Sequence, residues 1–593
     1  MASLASLHSI STASSKSLSA CPSSSQKTSQ ISAIRKQKYN HHKIIQCRTN
    51  KNHDEDGTVN ETSSSSIDRR NMLLGLGGLY GATSSRFGAD VRMAVAAPIP
   101  PPDLSDCGPA NLPPGAPSIN CCPLNTNIID FELPSRHSPL RVRPAAHLVD
   151  KAYIAKINKA YELMRALPDD DPRSFYQQAN VHCAYCDAAY SQILAGYPNL
   201  EIQVHRCWLF FPFHRYYLYF HEKILGSLIG DPTFALPYWN WDSPAGMKMP
   251  SFYTNPRSAL YDPLRDPRHQ PPALLDLNYN GVDNDDTNLP PEQLIYNNLT
   301  TMYRQVVSGG KTPTLFLGSP YRAGDPPAPG AGTIDNVPHG PVHRWTGDPR
   351  QPNREDMGNF YSAARDPIFF AHHSNVDRLW TIWKSLGGRR RDFTDPDFLN
   401  ASFIFFDEKK QAVRVTVRDS LEQENLRYKY QDVKIPWLQT KPKAPTTKKV
   451  DKSSVGTTAF PVTVDKTVQV LVKRPISKKR SKKEKEEKEE MLVLNGVEFY
   501  RGAPVKFDVF INYDGDAGMD STACAGSLAN VPHAHGDEVN YERIKTPLKL
   551  ALNDMLEDLE AEDDEDIVVT MVPRESENGM EVATIDGMEI QFD

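Results

Sequence analysis

The sequence has no run of 18 or more apolar residues among its 593, so it predicts no membrane-spanning helix. Residues 1–50 contain no Asp or Glu, and residues 1–96 hold 12 Lys/Arg against 6 Asp/Glu, a charge of +6. Because the whole chain has a formal charge of −6, the remainder carries −12. An acidic body argues against nucleic acid as a partner.

The first 96 residues have the composition of targeting signals rather than of a fold. Positions 1–50 are rich in Ser, Thr and basic residues, which is typical of a transit peptide. A twin-arginine pair at 69–70, an apolar stretch at 71–80 and an Ala-Val-Ala triplet at 94–96 form a second signal. Together they predict import into a plastid and then the thylakoid lumen; the alternative is a disordered Ser-rich tail.

Cysteine is scarce, with nine residues in the chain. An even-numbered cluster begins just after the predicted cleavage site, which suggests disulfide bonds in an oxidising compartment. Its spacing does not fix the connectivity. The cluster comprises Cys107, Cys121, Cys122, Cys183, Cys186 and Cys207, and Cys524 lies far from it.

Histidines form two triplets that suggest a metal centre. Imidazole binds copper, zinc, iron and nickel. Since neither triplet has a carboxylate or thiolate ligand in its local motif, a pair of coppers is favoured over zinc or non-haem iron, and oxygen chemistry becomes the leading hypothesis. The triplets are His182, His205 and His214, then His339, His343 and one of His372 and His373.

Spacing places most of these histidines on helices. His339 and His343 are four apart and share a helix face. His205 and His214 are nine apart, which would put them on opposite sides of one ideal helix unless Pro212 breaks it. The predicted helices span 148–167, 175–195, 209–228, a segment starting at Pro338, and 366–386, so the chemistry is expected on four helices of a bundle core.

The expected architecture is a mainly α catalytic domain with a helical-bundle core holding the metal pair, followed by a β-rich, sandwich-like C-terminal domain. Residues 264–335 are expected to have little regular structure. Short strands are predicted at 403–406, 413–417 and 428–430, and the charged run 477–490 as a solvated loop or short helix. The predicted units are the signals at 1–96, the catalytic domain at 97–438, a linker at 439–458 and the C-terminal domain at 459–593.

Five segments resemble motifs of the plant polyphenol oxidases, type 3 copper enzymes of the tyrosinase and catechol oxidase family. They are HCAYC (182–186), VHRCWLFFPFHRYYLYFHE (204–222), VPHGPVHRWTGD (337–348), DPIFFAHHSNVDRLW (366–380) and the C-terminal hallmark KFDV (506–509). The resemblance implies two copper ions and O2 as co-substrate, and oxidation of small catechols to o-quinones. It leaves open ortho-hydroxylation of monophenols, and it implies a latent proenzyme activated by a protease.

The resemblance also implies roles for single residues. The first copper would be held by His182, His205 and His214, and the second by His339, His343 and His373 rather than His372. A thioether would join Cys186 to His205, and disulfides would join Cys107 to Cys122 and Cys121 to Cys183, leaving Cys207 and Cys524 free. Phe360 would stack over the second copper and gate the pocket.

Three positions depart from the family pattern. Asp335 stands where a Glu is usual, Gly340 follows His339 where efficient monophenol hydroxylases have Asn, and Arg344 follows His343. These changes argue against strong general tyrosinase activity. Arg344 favours an acidic or multiply hydroxylated substrate, as in specialised members acting on flavonoid or lignan precursors; the alternative is a guanidinium exposed to solvent without a role.

Two other functions compete with the enzyme. An oxygen carrier similar to the haemocyanins would use the same copper pair, and a structural zinc protein would use the same histidines. The physiological phenol, the ratio of monophenol to diphenol oxidation, the activating cut and the oligomeric state do not follow from the sequence.

Overall fold

Helices dominate the first part of the described chain and strands the last part. The computed structural model describes residues 97–113, 115–124, 127–283, 289–475, 478–532, 543–574 and 582–593, so the predicted signals at 1–96 lie outside it. The α-helices are α1 (Lys151–Arg165), α2 (Phe175–Cys186), α3 (Phe210–Leu228), α4 (Pro291–Tyr303), α5 (Pro313–Phe316), α6 (Gly340–Thr346), α7 (Ile368–Ser385), α8 (Pro396–Asn400), α9 (Val417–Ser420), α10 (Lys482–Glu487) and α11 (Asn553–Asp558).

The core of the first region is a helical bundle, as predicted. Helix α3 packs against α1 and α7, and α1 also packs against α2. Nearly the whole of α3 is buried, and its charged Arg215 and Glu222 form buried ion pairs with Asp377 and Arg143. None of the described helices is both long enough and apolar enough to cross a bilayer.

One helix boundary and one helix that was not predicted correct the predictions, whereas the helix predicted at 209–228 is confirmed to within one residue. The helix predicted at 175–195 ends at Cys186, and the chain then reverses at Ala188, which has a positive φ of 61°. Helix α3 begins at Phe210, so His205 precedes it instead of sharing it. The 13-residue α4 lies in the segment expected to lack regular structure, where Pro291 fits the first helical turn.

An extended arm precedes the bundle and is joined to it by one disulfide and short strands. The disulfide from Cys121 to Cys183 reaches α2 and that from Cys107 to Cys122 lies within the arm, and these are the same pairs that the resemblance implies. Parallel pairing then joins the arm to the end of the bundle region, since β1 pairs with β6 and β2 with β7. The strands of this region are β1 (Ile128–Asp130), β2 (Arg141–Arg143), β3 (Ser191–Gln192), β4 (Tyr197–Glu201), β5 (Ser402–Phe406), β6 (Ala412–Thr416) and β7 (Tyr428–Tyr430).

The C-terminal region contains two antiparallel sheets, in agreement with the β-rich, sandwich-like prediction. One sheet has the order β12-β11-β14-β9; the other has β13-β10-β15-β8, with β16 also paired to β10. Side chains of both sheets share one buried cluster. The strands are β8 (Val462–Val464), β9 (Val468–Lys473), β10 (Glu490–Tyr500), β11 (Lys506–Ile511), β12 (Cys524–Ala529), β13 (Arg543–Ala551), β14 (Asp566–Pro573), β15 (Ala583–Ile585) and β16 (Gly587–Phe592).

Two segments that the sequence marks as irregular have defined positions. The charged run at 477–490 includes the short, exposed helix α10, which begins with a capping box between Ser481 and Glu484. The segment 439–458 is mostly exposed, yet its backbone is tied to the C-terminal region, because Lys443 donates to Asp520 O and Val450 to Asn512 O.

Candidate metal centre

The six predicted histidines converge in one buried space where four helices meet. His182 lies on α2, His214 on α3, and His373 on α7, while His343 lies on α6 and His339 just before it. His205 lies in the turn that leads into α3. Each of the six side chains is at most 1% exposed. Helical segments therefore supply five of the six residues and a loop supplies the sixth, in agreement with the prediction that most of them lie on helices.

The turn that holds His205 is built by its neighbours. The Gln203 side-chain oxygen accepts hydrogen bonds from the backbone N–H of His205 (3.0 Å) and from its Nδ1 (3.2 Å). Arg206 follows in the left-handed conformation with φ of 57°, and its backbone N–H donates to Asp335. These contacts fix the direction of the His205 ring although no helix supports it.

Backbone carbonyls orient four other rings. In each case Nδ1 bonds to a carbonyl oxygen, which leaves Nε2 directed into the shared space, and Nε2 has no hydrogen-bond partner in the described part of the chain. This is the arrangement found around metal-binding imidazoles. The bonds join His182 to Phe360 O (2.9 Å), His214 to Phe210 O (2.8 Å), His339 to Asp335 O (3.0 Å) and His343 to Met357 O (2.7 Å).

The potential ligand atoms gather in two groups. Those of His339, His343, His372 and His373 all lie within 4.8 Å of one another, as do those of His182, Cys186 and His205. The groups are adjacent: the rings of His214 and His373 stack with centroids 4.0 Å apart, and those of His205 and His339 lie 5.5 Å apart. Two metal positions side by side account for this layout.

The adjacent pair on α7 has different environments. The Trp241 indole N–H donates to Nδ1 of His372 at 3.2 Å. A neutral imidazole that accepts at Nδ1 has its proton on Nε2, where it cannot bind a metal. Neither ring nitrogen of His373 has a hydrogen-bond partner among the described residues. The contacts therefore favour His373 as the ligand, in line with the sequence motif.

Burial keeps these imidazoles neutral. It lowers the pKa of His214 to about 3 and of His343 to about 4, and it lowers the pKa of His182, His339 and His373 well below the usual value. Neutral rings offer the lone pairs that a metal requires. Nitrogen donors without a carboxylate fit copper, so the residues present suit a dicopper group.

Asp335 and Gly340 lie beside the centre. Asp335 Oδ2 accepts the Arg206 N–H at 2.6 Å, and burial raises the pKa of this carboxyl to about 7 despite the nearby Arg206 guanidinium. A Cβ on Gly340 would lie 3.6 Å from Val531 Cγ2 and 3.7 Å from Ala529 Cβ, so the C-terminal region covers this glycine.

Phe360 and Arg344 are both buried, and the burial of Arg344 excludes the alternative of a solvent-exposed guanidinium. The Phe360 ring stacks on His205 with centroids 4.2 Å apart and lies 5.6 Å from the His343 ring, so it is nearer to the first triplet than to the second. The Arg344 side chain is 4% exposed and donates to Asn280 O, so it does not face solvent. Burial lowers its pKa to about 10.

Among the described residues, three cysteines outside the disulfides are buried thiols. The Cys186 Sγ lies within 4.8 Å of the His205 ligand atom, close to the partner that the resemblance gives it. Cys207 Sγ contacts the carbonyls of Gln203 and Val204 instead. Cys524 lies in the C-terminal region and takes no part in the centre.

Sequence reasoning missed three residues that shape the site. Gln203 orients His205, Trp241 binds His372, and Val531 covers the centre from the C-terminal region. A polar residue two positions before a ligand and an indole in a loop are weak signals. Val531 lies in a loop two residues after the end of β12, and only the long-range fold reveals its position.

Family models match most of the described chain. The common central domain of tyrosinase matches residues 172–386, the polyphenol oxidase middle domain residues 392–443, and the chloroplastic polyphenol oxidase C-terminal domain residues 460–592.

Relatives of known name match along nearly their whole length. A chloroplastic polyphenol oxidase of Malus domestica is 54% identical over 96% of this chain and 95% of its own. An aureusidin synthase of Antirrhinum majus is 53% identical over 87% of this chain and 92% of its own. A chloroplastic (+)-larreatricin hydroxylase of Larrea tridentata is 49% identical over 92% of this chain and 94% of its own. Among solved structures, latent apple tyrosinase has a TM-score of 0.74 at 56% identity, covering 78% of this chain and 99% of that one. A latent aurone synthase has a TM-score of 0.78 at 41% identity, covering 84% and 99%.

Proposed function

The chain belongs to the plant polyphenol oxidases of the tyrosinase family, copper oxidoreductases, and we propose that it oxidises o-diphenols to o-quinones with O2. The observation that supports this reaction is the convergence of six buried histidines, whose potential ligand atoms form two neighbouring groups that His214 adjoins by stacking on His373. His182, His205 and His214 would hold one copper, and His339, His343 and His373 the other. When bound, the copper pair supplies O2 activation and accepts two electrons from each catechol ring.

The protein's own part is to position the ligands and exclude water. Carbonyls of Phe360 and Met357 orient His182 and His343, so the loop between α6 and α7 controls one ring in each triplet. Phe360 covers the His205 ring and narrows access to it. The proposed thioether between Cys186 and His205 would hold the same ring covalently. Rigid, neutral ligands in a site without bulk water favour reaction of the bound ring over side reactions.

Hydroxylation of monophenols would be weak. The Asp335 carboxyl, whose pKa is about 7, accepts a backbone N–H from Arg206 and is shorter than the Glu usual at this position. Gly340 adds no side-chain amide to help hold a water for proton removal from a phenol. We expect the activated enzyme to oxidise 4-methylcatechol rapidly and tyramine slowly and after a lag, as followed by quinone absorbance. Equal rates without a lag would show that Asp335 and Gly340 do not limit hydroxylation.

The C-terminal region would keep the enzyme latent. Its residues 527–532, the covering segment, lie over the centre: Val531 packs against Gly340, and the Phe360 N–H donates to Pro532 O at 3.3 Å. Among the described residues after 438, Val531 alone belongs to the hydrophobic cluster of the catalytic region. Cleavage in the exposed segment 439–458 would allow this region to leave.

A carboxylate-bearing catechol is a second candidate substrate. The relatives named for aureusidin and larreatricin are as similar to this chain as general polyphenol oxidases are, so overall identity does not select the phenol. Arg344 adjoins His343, and its Nη1 has no acceptor among the described residues. A dihydroxycinnamate would then have a lower KM than 4-methylcatechol, and Arg344→Leu would remove the difference. An unchanged KM ratio would exclude this role.

The chloroplastic names of the relatives support a plastid location. The finer assignment to the thylakoid lumen depends on the twin-arginine signal of residues 69–96, and fractionation of plastids tests it.

A further inference from the structure

The catalytic region holds the covering segment mainly by its backbone. Asn336 uses both ends of its side-chain amide: Nδ2 donates to Ser527 O, and Oδ1 accepts the Ala529 N–H at 2.9 Å. Ser527 and Ala529 are two residues apart, so this amide pairs with the segment as a neighbouring strand would. Recognition of this kind does not depend on the side chains of the bound strand.

Two further contacts extend the same interaction along the segment. Arg206 Nη2 donates to Asn530 Oδ1 at 2.7 Å and lies 3.5 Å from Ala529 O. At the far end, the Phe360 N–H donates to Pro532 O. Among these hydrogen bonds, only the one to Asn530 involves a side chain of the covering segment. The surface formed by Asn336, Arg206 and Phe360, here named the backbone clamp, therefore follows an extended chain over six residues.

The backbone clamp places one side chain of the covering segment, that of Val531, beside the metal centre. Val531 lies between the contacts to Asn530 and Pro532, is 3% exposed, and packs over Gly340, the residue after His339. Gly340 has no side chain to compete for that space. A different side chain carried at this position would enter the space next to the ligands.

We propose that the backbone clamp is a binding site for extended peptides, which becomes available when the C-terminal region is displaced and presents the peptide residue in the place of Val531 to the centre. Catechol side chains within polypeptides are then a substrate class of this enzyme; this step rests on the proposed function. Each peptidyl catechol loses two electrons and two protons to become a quinone, and one O2 takes up four of each from two rings to give two waters.

Direct binding tests the clamp separately from turnover. The probe is a fluorescently labelled peptide of residues 526–532 (GSLANVP), and the protein is the full chain, either uncut or cut within 439–458 with both pieces retained. Anisotropy should show at least tenfold tighter binding to the cut chain. Methylation of the peptide nitrogen equivalent to Ala529 removes a hydrogen bond to Asn336 and should weaken binding about tenfold. Asn336→Ala should do the same, whereas the exposed control Asn400→Ala should not.

The second measurement is the steady-state oxidation of a peptide substrate. The same peptide with 3,4-dihydroxyphenylalanine in place of Val531 should have a KM at least tenfold below that of its N-methylated form on the same cut enzyme. Two results would overturn the proposal in an enzyme that still oxidises 4-methylcatechol. One is equal affinity for the two peptides, and the other is equal affinity of the peptide for the cut and the uncut chain. If the cut enzyme binds the peptide but does not oxidise 4-methylcatechol, the proposed function is rejected and the peptide-binding site is still supported.

Discussion

The indole N–H of Trp241 lies 3.2 Å from Nδ1 of His372, and this contact gives two adjacent histidines different environments. It assigns the His372 proton to Nε2, whereas both nitrogens of His373 remain available for a ligand bond. The ring of His373 also stacks on His214 of the first triplet, at the junction of the two metal positions.

Replacement of His373 should therefore remove one copper. We expect His373→Ala to lower the copper content from two to about one per chain, because the second site keeps only two imidazoles, and to abolish catechol oxidation. His372→Gln should retain two coppers. Metal analysis of the purified chains measures both contents, and a loss of copper from His372→Gln alone would reverse the assignment.

Val531 should limit the activity of the uncut chain. Truncation to Ala opens the space over Gly340, so Val531→Ala should raise the catechol oxidation rate of the uncut protein severalfold. Val582→Ala, at a more exposed position of the C-terminal region, is the matched control. If both variants stay as latent as the parent chain, Val531 does not block the site.

Asp377 should be a large contributor to stability. This buried carboxylate accepts from Arg215 at 2.6 Å, from Arg143 at 3.3 Å and from Tyr428 at 2.6 Å, which ties α7 to α3 and to the arm. Asp377→Asn leaves the buried Arg215 guanidinium without its counter-charge, whereas Arg143 keeps Glu222 at 2.8 Å, and should lower the free energy of unfolding by about 3–5 kcal/mol.

An exposed pair provides the comparison for Asp377. Asp130 and Arg414 are 73% and 46% exposed, so Asp130→Asn should cost about 0–1 kcal/mol. Urea unfolding of the two variants side by side gives both values. Equal costs would mean that the buried network adds nothing beyond a surface ion pair.

Glu489 should make stability depend on pH. Burial raises the pKa of this carboxyl to about 7, although Lys311 lies 3.8 Å away. Because the pKa of Glu489 is higher in the folded than in the unfolded state, the protonated carboxyl favours folding. Its contribution to the free energy of unfolding is therefore complete below about pH 4.5 and is lost as the pH rises through 7, a difference of about 3 kcal/mol.

The Glu489→Gln variant should abolish that contribution. Its unfolding free energy should vary less between pH 4.5 and 7.5 than that of the parent chain, whereas the exposed Glu589→Gln should retain the parent profile. Identical profiles for all three proteins would show that Glu489 titrates normally.

The convergence of the six histidines was predictable because its determinants are local. His339 and His343 follow helical spacing, and motif residues surround each of the six histidines. The helical bundle and the β-rich C-terminal region followed from periodicity in the same way. Helix α4 was missed because Pro, Asp and Asn dominate its neighbourhood and outweigh its weak apolar pattern.

Contacts between distant segments were not predictable. Val531 meets Gly340 across 191 residues of sequence, and Asn336 meets Ala529 across 193. Nothing in the local pattern of either partner signals the other. The choice between a buried and an exposed Arg344 stayed open for the same reason, since the loop at Asn280 that buries it is remote in sequence.

Oxygen uptake with 4-methylcatechol, measured on the chain loaded with two coppers before and after cleavage within 439–458, tests the central claim most directly. A latent dicopper catechol oxidase should consume little O2 when uncut and much more when cut, with one O2 used for every two catechols oxidised. A cut chain that retains both coppers yet consumes no O2 with the catechol would contradict the assigned reaction.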